Sequence, residues 1–186
     1  AAVAISDATV VAGNNAILLP ALQAPITLTN VRSTSATANG LAVTGMTAAT
    51  SISIVGGTFS ATYVNSYLLS LHVVSDSKFT VRGASFTAIS SRAISFNSVI
   101  DRSTVVIDGN TFTAGPAVTT ALAVYLHDTL TASTCTFTRN TASAKYTIFV
   151  AGAITASSVI TVSDLTVDGL GNAGTAITID EVVQST

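Results

Sequence analysis

Charged residues are scarce in this chain of 186 residues, which has seven basic and nine acidic residues and a formal net charge of −2. The basic residues are scattered along the sequence instead of forming a cluster or stripe. A nucleic-acid-binding protein needs a basic patch that neutralises phosphates. We therefore expect no nucleic-acid partner.

Sulfur-containing residues and tryptophan are almost absent: the chain has one cysteine, one methionine and no tryptophan. A single cysteine cannot form a disulfide within the chain. Cys135 lies in a strand-like segment, Thr-Cys-Thr-Phe, at a position that alternation assigns to the apolar face together with Phe137. We therefore interpret it as a small buried hydrophobe and not as a reactive thiol.

Long apolar segments are also lacking, although hydrophobic residues make up 48% of the sequence and its mean hydropathy is +0.63. One long run without a charged residue, 8–31, is interrupted by Asn14, Asn15, Pro20, Gln23 and Pro25. Such a segment is not a transmembrane helix, and we expect no membrane insertion by this chain. We also expect no N-terminal signal, because Val3 and Ile5 already fit the repeat described next.

What the sequence contains is a repeat with a period of roughly 23 to 30 residues, the mark of a solenoid. Each repeat begins with two apolar residues separated by one other residue. These first pairs are Val3/Ile5, Ile26/Leu28, Ile52/Ile54, Phe79/Val81, Val105/Ile107, Cys135/Phe137 and Ile160/Val162. Second pairs follow at Ile17/Leu19, Leu41/Val43, Leu69/Leu71, Ile94/Phe96, Leu122/Val124, Ile148/Val150 and Ile177/Ile179. Alternation with a period of two is typical of strands that bury one face.

Other positions recur in step with these pairs. Two residues after each first pair stand mainly residues that accept left-handed backbone: Asp7, Asn30, Gly56, Gly83, Gly109, Arg139 and Asp164. A mostly apolar position follows five residues after each pair, at Val10, Ser33, Phe59, Phe86, Phe112, Ala142 and Val167. A small residue comes two positions later, at Ala12, Ser35, Ala61, Ala88, Ala114, Ala144 and Gly169. A third apolar position follows the second pair, at Leu22, Met46, Val74, Ile100, Leu130, Ile154 and Val183.

This pattern predicts an all-β fold, a single-stranded right-handed parallel β-helix of about seven stacked rungs. An antiparallel β-sandwich is the alternative, but hairpins do not predict one register across seven repeats. We expect residues 1–186 to form a single β-helix domain, a segment of a longer solenoid or filament. We further expect Phe59, Phe86 and Phe112 to stack inside it, and Asn110 and Asn140 to form a short amide ladder.

Three acids near one corner of adjacent rungs are the strongest candidates for chemistry: Asp76, Asp101 and Asp128. Together with the neighbouring His72, Lys78, Arg102 and His127, they could hold Ca²⁺ or supply an acid/base pair. Their offsets within the repeat differ, however, so we interpret them as solvated acids in turns and the histidines as surface residues. We predict a non-enzyme with no catalytic residue, no cofactor and no metal site.

Further polar positions suggest weaker hypotheses. Asp7, Asp108 and Asp164 lie near the first turn, where Asp commonly accepts hydrogen bonds from backbone N–H groups. Arg82 and Arg92 share a repeat and could contact an anionic glycan. An outward row of threonines would suit ice binding, but it is interrupted. The row contains Thr27, Thr80, Thr136 and Thr161, with Ala4, Ser53 and Val106 between or beside them.

The segments GGTFSA (56–61), GASFTA (83–88) and GNTFTA (109–114) repeat one motif, and two of them follow the strands SKFTV and STVVI. This style resembles the dispersed gene family surface proteins of trypanosomes and related kinetoplastids, whose ectodomains carry many β-helix-like repeats. It is similar, more loosely, to the β-helix passengers of bacterial adhesins and autotransporters. The resemblance implies an extracellular or cell-surface protein with an adhesive role, and it transfers no catalytic residue.

We therefore expect a structural or adhesive extracellular β-solenoid, part of a cell-surface stalk, coat or filament. The alternatives are a carbohydrate-binding or polysaccharide-cleaving β-helix and, as a minor one, an ice-binding protein. The expected partners are adjoining rungs of a longer chain or copies of the chain itself, stacked end to end. Host or matrix glycans or proteins are further candidates.

Overall fold

The computed structural model describes residues 1–20, 22–46, 50–61, 67–89, 92–114, 121–143, 146–155, 157–168 and 175–182. Three predicted repeat positions, Ala144, Gly169 and Val183, lie outside these ranges.

The described residues form 23 β-strands and no helix. The strands are β1 (Val3–Ser6), β2 (Thr9–Ala12), β3 (Ile17–Leu19), β4 (Ile26–Thr29), β5 (Arg32–Ser35), β6 (Leu41–Met46), β7 (Ser51–Val55), β8 (Thr58–Ala61), β9 (Tyr67–Ser75), β10 (Lys78–Arg82), β11 (Ser85–Ile89), β12 (Arg92–Phe96), β13 (Ile100–Asp101), β14 (Thr104–Asp108), β15 (Thr111–Ala114), β16 (Leu122–Leu126), β17 (Leu130–Thr131), β18 (Thr134–Thr138), β19 (Thr141–Ser143), β20 (Tyr146–Ile154), β21 (Val159–Ser163), β22 (Thr166–Val167) and β23 (Thr175–Val182).

Three sheets are built from these strands. Each rung contributes one strand to sheet A, one to sheet B and one or two to sheet C. Sheet A has the order β1-β4-β7-β10-β14-β18-β21, and sheet B the order β2-β5-β8-β11-β15-β19-β22. Sheet C contains the remaining strands, from β3 to β23. Neighbouring strands come from successive rungs and pair in parallel, as β1 and β4 do. The predicted all-β parallel β-helix is therefore confirmed, with seven strands stacked in each of sheets A and B.

The first apolar pairs form two continuous columns in sheet A, where a column is the set of residues at one position of successive rungs. Ile54 pairs with Val81, which pairs with Ile107, and Ile107 with Phe137. These side chains are at most 1% exposed, so the columns form one wall of the hydrophobic core. The predicted register of all seven first pairs is confirmed.

The second pairs follow the prediction except in the fifth rung. There Val124 and Leu126 pair with Ile94 and Phe96, so these two residues occupy the core columns of sheet C. The predicted pair, Leu122/Val124, was therefore wrong, because the observed pair lies two residues further along the chain. Leu122, Val124 and Leu126 are all apolar and spaced two apart, so their spacing does not distinguish the two pairs. In the structure, Leu122 pairs with Arg92 and is only partly buried.

Two smaller departures arise at bulges. Ile154 pairs with Val182, one residue before the predicted position, after a register shift in β20 and β23. In sheet B, Ala114 pairs with Ile89 and not with Ala88, because the register of β11 shifts after Thr87. A bulge adds one residue to a strand, which a fixed spacing cannot foresee.

Sharp corners separate sheet A from sheet B, and all seven predicted turn residues have positive φ there. The values run from 51° at Asn30 to 66° at Gly56. Arg139 has a φ of 52° although its side chain makes this conformation costly. A second left-handed corner, before sheet A, was not predicted. It contains Asp76, Arg102, Ala132 and Ser157.

Aromatic rings stack in sheet B as predicted. The ring centroids of Phe59 and Phe86 are 5.4 Å apart, and those of Phe86 and Phe112 are 5.0 Å apart, with interplanar angles of 17° and 11°. The three side chains are at most 1% exposed. The parallel ladder sets this spacing, because it places identical positions of adjacent rungs about 4.8 Å apart.

Buried polar side chains continue the same stacking at the two corners. Asn110 donates from Nδ2 to Oδ1 of Asn140 at 3.1 Å, which confirms the amide ladder, and its Oδ1 accepts a hydrogen bond from the backbone N–H of Ala84. At the other corner, the N–H of Ser77 donates to Oγ of Ser103, and the N–H of Ser103 donates to Oγ of Ser133. These bonds satisfy backbone groups that the corners remove from the sheets.

We predict that Phe86→Ala lowers the free energy of unfolding by about 3 to 5 kcal/mol, because it opens a cavity between two stacked rings. Urea denaturation followed by circular dichroism measures this change. Thr113→Ala, at an exposed position of the neighbouring strand, is the matched control and should change the stability by less than about 0.5 kcal/mol. Equal effects of the two substitutions would contradict the stacked interior.

Candidate functional site

Two of the three predicted acids are joined by an arginine. Asp76 occupies the left-handed corner after β9, and Asp101 ends β13 one rung further on. Arg102 donates from Nε and Nη2 to the two carboxylate oxygens of Asp76, both at 2.7 Å, and its Nη1 lies 2.5 Å from Oδ2 of Asp101. The guanidinium therefore stands between two carboxylates of adjacent rungs.

The chemistry of this pair follows from its charges. Hydrogen bonds from Arg102 lower the pKa of the Asp76 carboxyl below its ordinary value. A general acid needs a raised pKa to hold its proton near neutral pH, and Asp76 has the opposite shift. The arrangement is that of a bidentate ion pair linking two rungs.

Asp128, the third predicted acid, lies apart from this pair. Its Oδ1 accepts hydrogen bonds from the backbone N–H of Thr129, at 2.7 Å, and from the Thr129 hydroxyl. In the described part of the chain, no ion pair joins it to Arg102. Nor do the described residues contain a group of three or more His, Cys, Asp or Glu side chains placed to hold a metal ion.

Asp108 has the most buried carboxylate among the ion pairs, with a side chain that is 11% exposed. Arg139 of the next rung donates from Nε and Nη2 to its two oxygens, at 2.9 and 2.6 Å, and the Thr138 hydroxyl donates to Oδ1. On the preceding rung, Nε of Arg82 lies 3.7 Å from Oδ2. Asp108 was expected to bind backbone N–H groups, but it binds side chains of the neighbouring rungs instead.

The guanidinium of Arg139 lowers the pKa of Asp108 by hydrogen bonding, against the opposing effect of burial. A carboxyl whose pKa is lower in the folded state stabilises the fold above its unfolded pKa. That contribution is lost as the pH falls through the folded pKa. Asp108 is therefore a source of acid sensitivity at a contact between three rungs.

Both histidines project from the outer side of sheet C, two rungs apart. His72, Asn97 and His127 follow directly after three paired core residues, Leu71, Phe96 and Leu126, and so share one column. The His127 ring lies 5.6 Å from that of Tyr125 in an edge-to-face arrangement. The residue between the two histidines is an amide, which is a poor ligand for the metals that imidazole prefers.

An arginine–tyrosine cluster lies next to these histidines. The guanidinium carbon of Arg92 is 3.8 Å from the ring centroid of Tyr125 and 5.2 Å from that of Tyr67, whose hydroxyl accepts a hydrogen bond from Nη1 of Arg92. The Tyr125 and Phe149 rings are 5.6 Å apart. Cation–π contacts of this kind fix the rings and the arginine relative to each other.

Cys135 is fully buried in a core column between Val105 and Ile160. Burial raises the pKa of its thiol to about 12. Since the thiolate is the reactive form, this cysteine is inert at neutral pH.

A surface groove of about 230 Å³ crosses the outer side of sheet A. We call it the Lys78–Arg82 groove, and it is lined by Ser51, Ile52, Ser53, Lys78, Thr80 and Arg82. Sequence analysis missed it. The available signal was the presence of two basic residues four apart in one predicted strand, which places them on the same face.

We predict that Asp108→Asn lowers the free energy of unfolding at pH 7 by about 1 to 2 kcal/mol, because it removes the charge that two Arg139 hydrogen bonds require. The difference from wild type should shrink as the pH falls through the lowered pKa of Asp108. Urea denaturation at a series of pH values measures both effects. Asp168→Asn, at an exposed carboxylate, is the control, and an equal effect of the two substitutions would contradict the assignment.

No helix in the described residues is long and apolar enough to cross a membrane. Comparisons with family models, with curated proteins and with solved structures found no match to this chain. The geometry of its own residues is therefore the basis for assigning a function.

Proposed function

We propose that this chain is a structural and adhesive element of an extracellular or cell-surface assembly, such as a stalk, coat or filament. The observation that supports this proposal is the use of its charged groups. Asp76 with Arg102, and Asp108 with Arg139, form bidentate ion pairs between successive rungs. Charges committed in this way hold the rungs together along the axis and are not free for acid/base chemistry.

The buried polar residues support the same role. The Asn110–Asn140 pair and the serine ladder bond one rung to the next, and the phenylalanine stack does so by packing. A rod whose ion pairs, buried amides, serines and phenylalanines connect neighbouring rungs suits a protein that spans a distance. The repeated motif resembles that of the kinetoplastid surface proteins named above. This resemblance is consistent with an extracellular location.

The location can be tested on the cells that produce the protein. An antibody raised against residues 1–186 should label intact cells, because the proposed element lies outside the membrane. A second antibody, against a cytosolic protein, is the control. It should label the cells only after permeabilisation, which shows that the untreated cells are intact. If the antibody against residues 1–186 also labels only permeabilised cells, the extracellular proposal is wrong.

Further β-rungs are the partners that we propose for the end strands, either from an adjoining part of a longer chain or from another copy. Among the described strands, β1 pairs only with β4, and β23 only with β20. Ile177 and Ile179 are 39% and 42% exposed, whereas Ile148 and Val150 in the same columns are at most 1% exposed. An unpaired edge that is also apolar favours pairing with another strand.

We predict that the 186-residue chain associates end to end as its concentration rises, which multi-angle light scattering measures. Ile177→Lys combined with Ile179→Lys should shift the chain towards the monomer, since charges on a sheet edge oppose pairing. Val55→Lys is the control, because Val55 is 44% exposed on the side of the rod. A wild-type chain that stays monomeric at high concentration would contradict association between copies.

A further inference from the structure

We propose that the Lys78–Arg82 groove binds an anionic saccharide, a sugar chain that carries sulfate or carboxylate groups. This proposal goes beyond the structural role, because a rod can hold an assembly together without binding any ligand on its side. It would give the rod a specific adhesive contact.

The strand geometry positions the groove. In β10, Phe79 and Val81 are fully buried in the core, so the alternating residues Lys78, Thr80 and Arg82 project outwards. The two basic residues are four positions apart, which separates their Cα atoms by about 13 Å. Thr80 lies between them and is only 7% exposed, so it forms the floor of the groove while the longer side chains form its two ends.

The local charge is positive although the whole chain carries a net charge of −2. The side chain of Lys78 has no ion pair or hydrogen bond in the described part of the chain. Arg82 approaches Asp108 only at 3.7 Å, and both oxygens of that carboxylate already bind Arg139. Two arginines, Arg82 and Arg139, thus share the Asp108 carboxylate, and Lys78 at the other end of the groove has no acidic partner among the described residues. This excess of positive charge attracts an anion.

The floor of the groove favours the uncharged, hydroxyl-bearing part of a saccharide. Hydroxyl groups of Ser51, Ser53 and Thr80 line it, and each can donate and accept hydrogen bonds as the hydroxyls of a sugar require. A chain with anionic groups at both ends of a hydroxyl-rich unit therefore matches the groove. Its lining residues include no aromatic ring on which a nucleic-acid base could stack.

The test is isothermal titration calorimetry of the 186-residue chain with four probes at low salt. The probes are a heparin-derived oligosaccharide, an oligogalacturonate, a neutral maltooligosaccharide and oligothymidylate. We expect heat of binding from at least one of the two acidic saccharides, and weaker binding as NaCl is added, because salt screens exposed charges. The two acidic probes distinguish sulfate from carboxylate as the preferred group.

Variants locate the site. Lys78→Gln combined with Arg82→Gln should weaken binding at least about tenfold, because it removes charge-assisted hydrogen bonds. Thr80→Val, which keeps the shape and the charge, should weaken it by a smaller factor. Arg32→Gln is the matched control: Arg32 is exposed on sheet B, and its loss should leave the affinity unchanged. Circular dichroism checks that every variant is folded.

Three results would overturn the proposal: no binding of either acidic saccharide, oligothymidylate binding as tight as theirs, or an equal loss of affinity in Arg32→Gln and in the double variant Lys78→Gln/Arg82→Gln. The last result would indicate diffuse electrostatic attraction without a site. None of these results bears on whether the protein is exposed on intact cells, so failure of this proposal is distinguishable from failure of the structural role.

Discussion

In-register parallel pairing of the backbone is the constraint on which the rest of this structure depends. It places the same position of every rung about 4.8 Å from its copies above and below. The residue type at each position is therefore constrained more by the residues above and below it in its column than by its neighbours in sequence. Apolar residues and hydroxyl groups tolerate a copy of themselves at that distance, whereas like charges repel. The low charge of the chain, 9% of its residues, follows directly.

Where charges occur, the same constraint dictates their order. Arg82 pairs with Asp108 along one column of sheet A. At the corner before sheet A, Arg102 follows Asp76 on the next rung and binds it through both oxygens. Alternation of sign along the axis turns a repulsive stack into an attractive one. Charges left out of this alternation, such as Lys78, are the ones available to a ligand.

The core columns were predictable from the sequence because burial of one strand face leaves a period of two, and stacking repeats it in every rung. The prediction failed where that signal is degenerate. Leu122, Val124 and Leu126 are all apolar and spaced two apart, so the pattern cannot choose between two registers related by a shift of two. Pairing with Ile94 and Phe96 makes the choice in the structure.

The polar sites were less predictable because they depend on corner geometry and on long side chains. Gly, Asn and Asp marked most of the first corner, but the second corner has Arg102 and Ala132 at positive φ, and neither type signals such a conformation. Which carboxylate an arginine reaches depends on its rotamer. Arg139 therefore binds Asp108 of the preceding rung, although spacing alone placed Asp108 among backbone acceptors.

Distances between spin labels along one outer column test the stacked register most directly. Ala4, Thr27, Ser53 and Thr161 share such a column of sheet A, and buried Cys135 should not react with the label. Labels at Thr161 and at Ala4, Thr27 or Ser53 should be separated by about 29, 24 and 19 Å in double electron–electron resonance, one rung spacing per step. Separations that do not fall by about 5 Å per rung would contradict the account.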